Sequence, residues 1–162
     1  MPLAIRRIRT DPDEIEALAR LRHAAFFAEG ARTLAVERAE LAAFARRDSS
    51  DEAGLVAELD GGLAGCSLLV PREIDQHHDC GPWLAGLAVE PGLRSRGIGS
   101  ALVRAIEDEA GQRGIARLFL YTSGAKPFYA ARGWFVLDDF VDGDGEASTL
   151  MAKDIAERAA PR

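Results

Sequence analysis

Two cysteines, Cys66 and Cys80, in a chain of 162 residues are too few for a disulfide scaffold, and they fit a reducing, cytoplasmic setting. No apolar run approaches the roughly 20 residues needed to cross a bilayer. Residues 1–7 carry no apolar stretch of signal-peptide type, so neither secretion nor a membrane partner is expected. Positive charge is in deficit: 20 Lys and Arg stand against 26 Asp and Glu, a net charge of -6. Nucleic-acid affinity comes mostly from neutralising phosphates, so no nucleic-acid partner is expected. If the chain binds a polyanion, it must do so locally, through clustered arginines or backbone N–H groups. Repeats and low-complexity linkers are absent too. What remains, 48% hydrophobic and 28% charged residues, is ordinary globular composition, and the length suits one domain over 1–162 with an ordered core of about 3–154.

Periodicity sets out the elements. Residues 3–9 alternate as a strand. Asp11-Pro12-Asp13-Glu14 starts a helix, with Asp11 as cap, Pro12 at the first helical position and Glu14 at capping-box spacing. Ile15, Leu18, Leu21, Ala25 and Phe26 give it an apolar face, and Gly30 ends it. Residues 36–47 read as a second helix with Leu41 and Phe44 inward. Strands at 54–59 and 63–70 flank a tight turn at Asp60-Gly61-Gly62. Residues 71–82 read as a loop, 83–89 as an apolar strand, and 97–112 as a strongly amphipathic helix. Its stripe is Ile98, Ala101, Leu102, Ala105, Ile106 and Ala110. A strand at 118–121, a short helix at 126–132, two strands at 134–141 and 148–154, and a fraying tail from Ala156 complete the chain. This order, β-α-α-β-β-β-α-β-α-β-β, predicts an α+β domain with a mixed, mostly antiparallel sheet flanked by helices.

The chemistry concentrates in Val89-Glu90-Pro91-Gly92-Leu93-Arg94-Ser95-Arg96-Gly97-Ile98-Gly99-Ser100, where a strand ends, a Gly/Arg loop follows and the strongest helix begins. Helix N-termini present unpaired N–H groups and partial positive charge to anions. Gly97 and Gly99 let a phosphate approach the backbone, while Arg94 and Arg96 add local positive charge. The pattern describes a pyrophosphate cradle. A Walker loop is excluded because no Gly-Lys-Ser/Thr occurs, and the dinucleotide fingerprint because its third glycine would fall on Leu102. A second group is Lys126-Pro127-Phe128-Tyr129-Ala130-Ala131-Arg132-Gly133-Trp134. Here Phe128 is expected to pack inward and Tyr129 to lie on an adjacent face, its hydroxyl able to donate a proton to a leaving thiolate. A plain packing role for Tyr129 is the alternative.

These two segments together carry a resemblance. Arg94-Ser95-Arg96-Gly97-Ile98-Gly99 is similar to the Arg/Gln-x-x-Gly-x-Gly/Ala loop of the GNAT superfamily of N-acetyltransferases. Phe128-Tyr129-Ala130-Ala131-Arg132-Gly133-Trp134 resembles that family's Phe-Tyr-x-x-x-Gly-Phe segment, one helix and one strand further on. The resemblance covers nearly the whole chain and implies the GNAT fold and direct acetyl transfer from acetyl-CoA to a primary amine, on a small molecule or a protein. It implies that the fourth strand is splayed from the fifth by a bulge. Backbone groups of Leu87 and Val89, with Ala88 between them, would meet the pantetheine arm. The N–H groups of Arg94, Ser95, Arg96, Gly97, Ile98, Gly99 and Ser100 would hold the pyrophosphate, and Tyr129 would be the general acid. Many members have Asn six residues before the Phe-Tyr pair; here Thr122 stands there, so it is carried as a cofactor contact with a smaller hydrogen-bonding capacity. Members are often dimers, which makes a second copy of the chain a partner expectation. A catalytically silent acyl-CoA-binding domain on the same fold, and a nucleotide-binding enzyme of another class, are the competing readings.

Asp75-Gln76-His77-His78-Asp79-Cys80 has metal-ligand residue types, but neighbouring histidines on a loop converge poorly on one ion, and no metal is expected. In the GNAT arrangement this loop leads toward the acceptor, which makes Asp79, or His78, the candidate general base. Asp138, Asp139, Asp142, Asp144 and Glu146 read as a solvated turn, with attraction of a cationic acceptor as the alternative.

Overall fold

The computed structural model describes residues 2–47, 49–77 and 79–156. Seven strands are β1 (Leu3–Arg7), β2 (Ala53–Leu59), β3 (Gly62–Val70), β4 (Trp83–Val89), β5 (Arg117–Thr122), β6 (Phe135–Val141) and β7 (Ala147–Asp154). They form a sheet in the order β1-β2-β3-β4-β5-β7-β6. The pairs β1–β2, β5–β7 and β6–β7 are antiparallel and β4–β5 is parallel, so the mixed, mostly antiparallel sheet expected from the sequence is present. The helices are α1 (Pro12–Arg22), α2 (Leu34–Arg46), α3 (Ile98–Gln112) and α4 (Lys126–Ala130). The tail read as fraying lies, from residue 157, outside the described residues.

Two compact units divide the chain. The first comprises Met1–Leu68 and Gly86–Ile106, the second Leu69–Ala85 and Glu107–Arg162. In the first unit, strand alternation sends side chains to two apolar clusters. Val56, Cys66 and Ala88 join Ile15, Leu18, Ala19, Leu21 and Leu41 from α1 and α2. Ala57 and Ala64 join Ile98 and Leu102 from α3, with Leu87, Val89 and Leu93 packed alongside. In the second unit the Trp83 and Phe119 rings meet at 5.9 Å where β4 and β5 pair, and Leu118, Leu120, Met151 and Trp134 are buried.

α1 begins as its sequence directs: the Asp11 carboxylate accepts from the Glu14 N–H at 3.4 Å and Pro12 opens the helix. The reciprocal half of the capping box is absent. Glu14 instead accepts from the backbone N–H of Arg9 at 2.6 Å and pairs with Arg6, which draws the helix start to β1. The far end also departs from expectation. Regular α1 stops at Arg22, and a π-helical turn, His23–Phe27, follows before Gly30. A π turn inserts an extra residue into the helical repeat and rotates the apolar stripe. Ala25 and Phe26, expected inward, are therefore exposed, Phe26 at 45%. α2 starts at Leu34, two residues before the sequence reading, because Thr33 caps it by accepting from the Val36 N–H at 3.1 Å. β6 is a sheet edge, its register shifts between Val136 and Asp138, and Phe135, Val136 and Leu137 are exposed.

Candidate active site

In the first unit, β4 hands over to α3 through a compact turn. The Glu90 N–H donates to the Ala64 carbonyl at 2.8 Å, and the Leu93 N–H to the Glu90 carbonyl at 2.8 Å. Ser95 and Gly97 then adopt left-handed backbone, φ 66° and 81°. For Gly97 that conformation favours glycine on its own, and a Cβ there would meet nothing within 4 Å. The Gly97 carbonyl accepts from Ala101 at 3.0 Å, so Ile98, Gly99 and Ser100 make the first turn of α3, the turn at which a helix points N–H groups outward along its axis. Arg94, Ser95, Arg96 and Gly97 are exposed. An open left-handed turn feeding a 15-residue helix supplies N–H donors, dipole and positive charge to an anion, and this fits a pyrophosphate. Leu87 and Val89 turn their side chains to the α3 cluster and Ala88 to the α1–α2 cluster. Upstream in β4, the strand in which a bulge was expected, Gly86 has φ 60°, a break in strand conformation.

The second unit holds Tyr129. The sequence expectation inverted its helix: Tyr129 is buried and Phe128 half-buried. The reason lies past the helix end. Gly133 is left-handed, and the Trp134 N–H reaches back to the Tyr129 carbonyl at 3.2 Å, folding the buried indole against the phenol with ring centroids 6.1 Å apart. Phe128 meets Tyr129 edge-on at 5.0 Å, and the Arg132 guanidinium lies 3.7 Å over the Phe128 ring and donates to the Phe128 carbonyl. The Trp134 indole N–H donates to Glu107, whose other oxygen accepts from Lys153 at 2.8 Å. Burial pushes the Tyr129 phenol up to about 12, against the pull of Arg132, so it holds its proton throughout the neutral range. Thr122, half-buried, is a turn residue: its hydroxyl oxygen accepts from Ala125 at 3.0 Å and Gly124 at 3.4 Å, which leaves its proton to donate.

The loop before β4 is more ordered in its bonding than a plain loop. Asp75–His77 form a 3-10 turn and the Cys80 N–H donates to the His77 carbonyl at 2.9 Å. This curl brings ligand atoms of His77, Asp79 and Cys80 within 4.8 Å of one another, a convergence the spacing alone did not suggest. Asp79 is exposed, and His77 also faces the Asp138 carboxylate at 3.5 Å and the Phe140 ring. Its neighbour His78 lies outside the described residues. The acidic turn is largely self-satisfied. Asp142 accepts from the Asp144 and Glu146 N–H groups at 2.9 Å, and Asp139 accepts from Thr149 at 2.8 Å.

One buried group escaped sequence reading. Glu37, in α2, accepts from Arg22 at 2.6 Å and from Arg32 at 2.8 Å. The signal was present: Arg22 follows Ile15 and Leu18 on the inward stripe of α1, and Glu37 lies between Leu34 and Leu41 on that of α2.

A model of the acetyltransferase (GNAT) family matches residues 15–134. The mycothiol acetyltransferase of Kineococcus radiotolerans is 42% identical over 83 residues, which cover 49% of this chain and 26% of that protein. The amino-acid acetyltransferase of Neisseria meningitidis serogroup A is 37% identical over 79 residues, covering 49% of this chain and 17% of that protein. The match thus spans only about a quarter and a sixth of those two relatives. Solved structures agree over the fold. An aminoglycoside 6'-N-acetyltransferase complexed with coenzyme A superposes with a TM-score of 0.77 at 19% identity, covering 97% of this chain and 99% of the other. The PaiA N-acetyltransferase of Thermoplasma acidophilum, in complex with coenzyme A, gives 0.71 at 22% identity, covering 95% and 99%.

Proposed function

The chain belongs to the acetyltransferase (GNAT) family, and from that premise we propose that it moves the acetyl group of acetyl-CoA directly onto a primary amine. The N–H groups from Arg94 to Ser100 bind the pyrophosphate of the cosubstrate, helped by the two exposed arginines. Backbone groups of Leu87, Ala88 and Val89 bind the pantetheine arm, with Thr122 as a hydroxyl donor to it. The amine nitrogen bonds to the thioester carbon and gives up a proton, for which Asp79 is the candidate acceptor. The carbon–sulfur bond breaks, and Tyr129 gives the departing thiolate its proton.

The observation that supports this reading most is the state of Tyr129. A general acid must be protonated at working pH, a condition any phenol meets near neutrality and which burial, pushing Tyr129 up, preserves well into alkaline pH. The curated relatives are acetyltransferases of unlike acceptors, and the reading leaves the acceptor at the level of a primary amine. The test is release of free CoA thiol from acetyl-CoA across a panel of primary amines. Turnover with at least one amine, reduced roughly 10-fold or more in Tyr129→Phe, is expected. CoA binding with no thiol release from any amine, small or protein-borne, favours instead a silent acyl-CoA-binding domain.

A further inference from the structure

Arg22 closes α1 just before the π turn, and its guanidinium is largely buried, the side chain retaining 12% exposure. Its Nε donates to Glu37. Its Nη1 is buried with no hydrogen-bond partner among the described residues. That atom lies against Gly86, so closely that a Cβ on Gly86 would stand 2.2 Å from it. The Cys66 thiol also interacts with the Arg22 side chain. Burial pushes this thiol up to about 11 despite the neighbouring guanidinium, so it is neutral there, and sulfur is a weak acceptor. Glu37 is divided between Arg22 and Arg32, and Arg32 has a second carboxylate in Glu40, so Arg22 shares its one acidic partner. A buried guanidinium N–H left unpaired is costly, and the group that suits a guanidinium best is an oxyanion such as a carboxylate. The cover over this guanidinium is Phe26, whose ring centroid lies 5.6 Å from it. Phe26 is exposed and sits on the π turn, the helical irregularity found often at functional positions.

We propose that Arg22 is the anchor for the carboxylate of a small ligand, reached by displacement of Phe26, so that one of the two reactants of this enzyme is a carboxylic acid. The inference rests on the acyl-CoA-dependent transferase reading. The carboxylate has two sources, the acceptor amine or the acyl group of a dicarboxylic acyl-CoA, and both present the same chemistry to the guanidinium.

Binding is measured first on the wild-type protein by calorimetry. In the presence of CoA it is titrated with a panel of N-acetyl-amino acids and with their amides; in parallel it is titrated with succinyl-CoA and with acetyl-CoA. A preference of about 10- to 100-fold for the acid over its amide places the carboxylate on the acceptor, and the same preference for succinyl-CoA places it on the acyl group. Arg22→Lys, which keeps the charge but loses the planar fork, is expected to reduce that preference at least several-fold while leaving CoA affinity alone. Because the wild-type comparison stands without any variant, misfolding of Arg22→Lys does not rescue the idea. Equal binding in both wild-type pairs means that Nη1 is met by a buried water, and overturns the proposal. A preference that persists unchanged in folded Arg22→Lys overturns it too. A carboxylate preference without any thiol release supports the role of Arg22 and counts against the transferase reading alone.

Discussion

The β4–α3 turn and the Tyr129 cluster are built on opposite principles. The turn offers backbone: an open left-handed Gly97, a helix N-terminus, and arginines that lie in solvent. The Tyr129 cluster offers side chains: a phenol walled by Phe128 and Trp134, with Trp134 held in turn by Glu107 and Lys153. A site made of backbone is damaged by added atoms, because its donors survive most side-chain removals. A site made of one side-chain group is damaged by deletion of a single atom. In the proposed function the two regions therefore separate binding from chemistry, in a way that substitutions can expose.

Removing the Tyr129 hydroxyl has the largest expected effect. Tyr129→Phe keeps the ring and its edge contacts, so CoA affinity stays near wild type, while the acyl-transfer rate falls roughly 10- to 10⁴-fold, the upper range being that of general-acid effects. Full kcat in this variant would return Tyr129 to a packing role. Next in size is Gly99→Val in the first turn of α3. Obstructing one to three backbone hydrogen bonds of about 1 kcal/mol each weakens CoA binding on the order of 10- to 100-fold. Calorimetry reads the change, circular dichroism checks the fold, and unaltered affinity in a folded variant refutes the backbone cradle. Arg94→Ala is expected to cost only about two- to five-fold, because an exposed charge contributes about 0.2–1 kcal/mol and is screened by salt. If that variant loses more CoA affinity than Gly99→Val, the contrast between the two regions fails. The smallest expected effect is an absence on the alkaline side. A phenol raised to about 12 remains an acid well past pH 10, so kcat in the wild type should show no fall attributable to Tyr129 between pH 8 and about 10.5. A descending limb near pH 10 that Tyr129→Phe abolishes would show a phenol ionising as readily as one in water.

Sequence and structure agree best where local rules are strong. The 83–89 strand, the α3 stripe and the Asp60-Gly61 turn follow from alternation, 3.6-residue spacing and turn chemistry, which need no distant partner. The glycine turn ahead of α3 was legible for the same reason, since glycines ahead of a helix specify its geometry locally. Disagreement appears where a competing partner or a helical irregularity overrides the simple local rule. Glu14 was expected to complete its own helix cap and instead bonds to Arg6 and to the Arg9 N–H. Phe26 was assigned to the core by its spacing, and one π turn moved it to the surface. Asp142 holds the acidic turn, as its first reading had it, and Thr122 holds a turn through its oxygen with its proton left to donate.

The amino-acid sequence by itself determined the class of the protein, the order of its elements and the turns at the two segments proposed to carry its chemistry, because helix starts, glycine turns and apolar periods are encoded within a dozen residues of one another. Only the tertiary structure decided which aromatic of Phe128-Tyr129 is buried, how far the Tyr129 proton is held, and that Glu37 is shared by Arg22 and Arg32 with one guanidinium N–H left over. Those are matters of desolvation and charge balance. They depend on groups that the chain brings together from distant positions, and no local pattern encodes them.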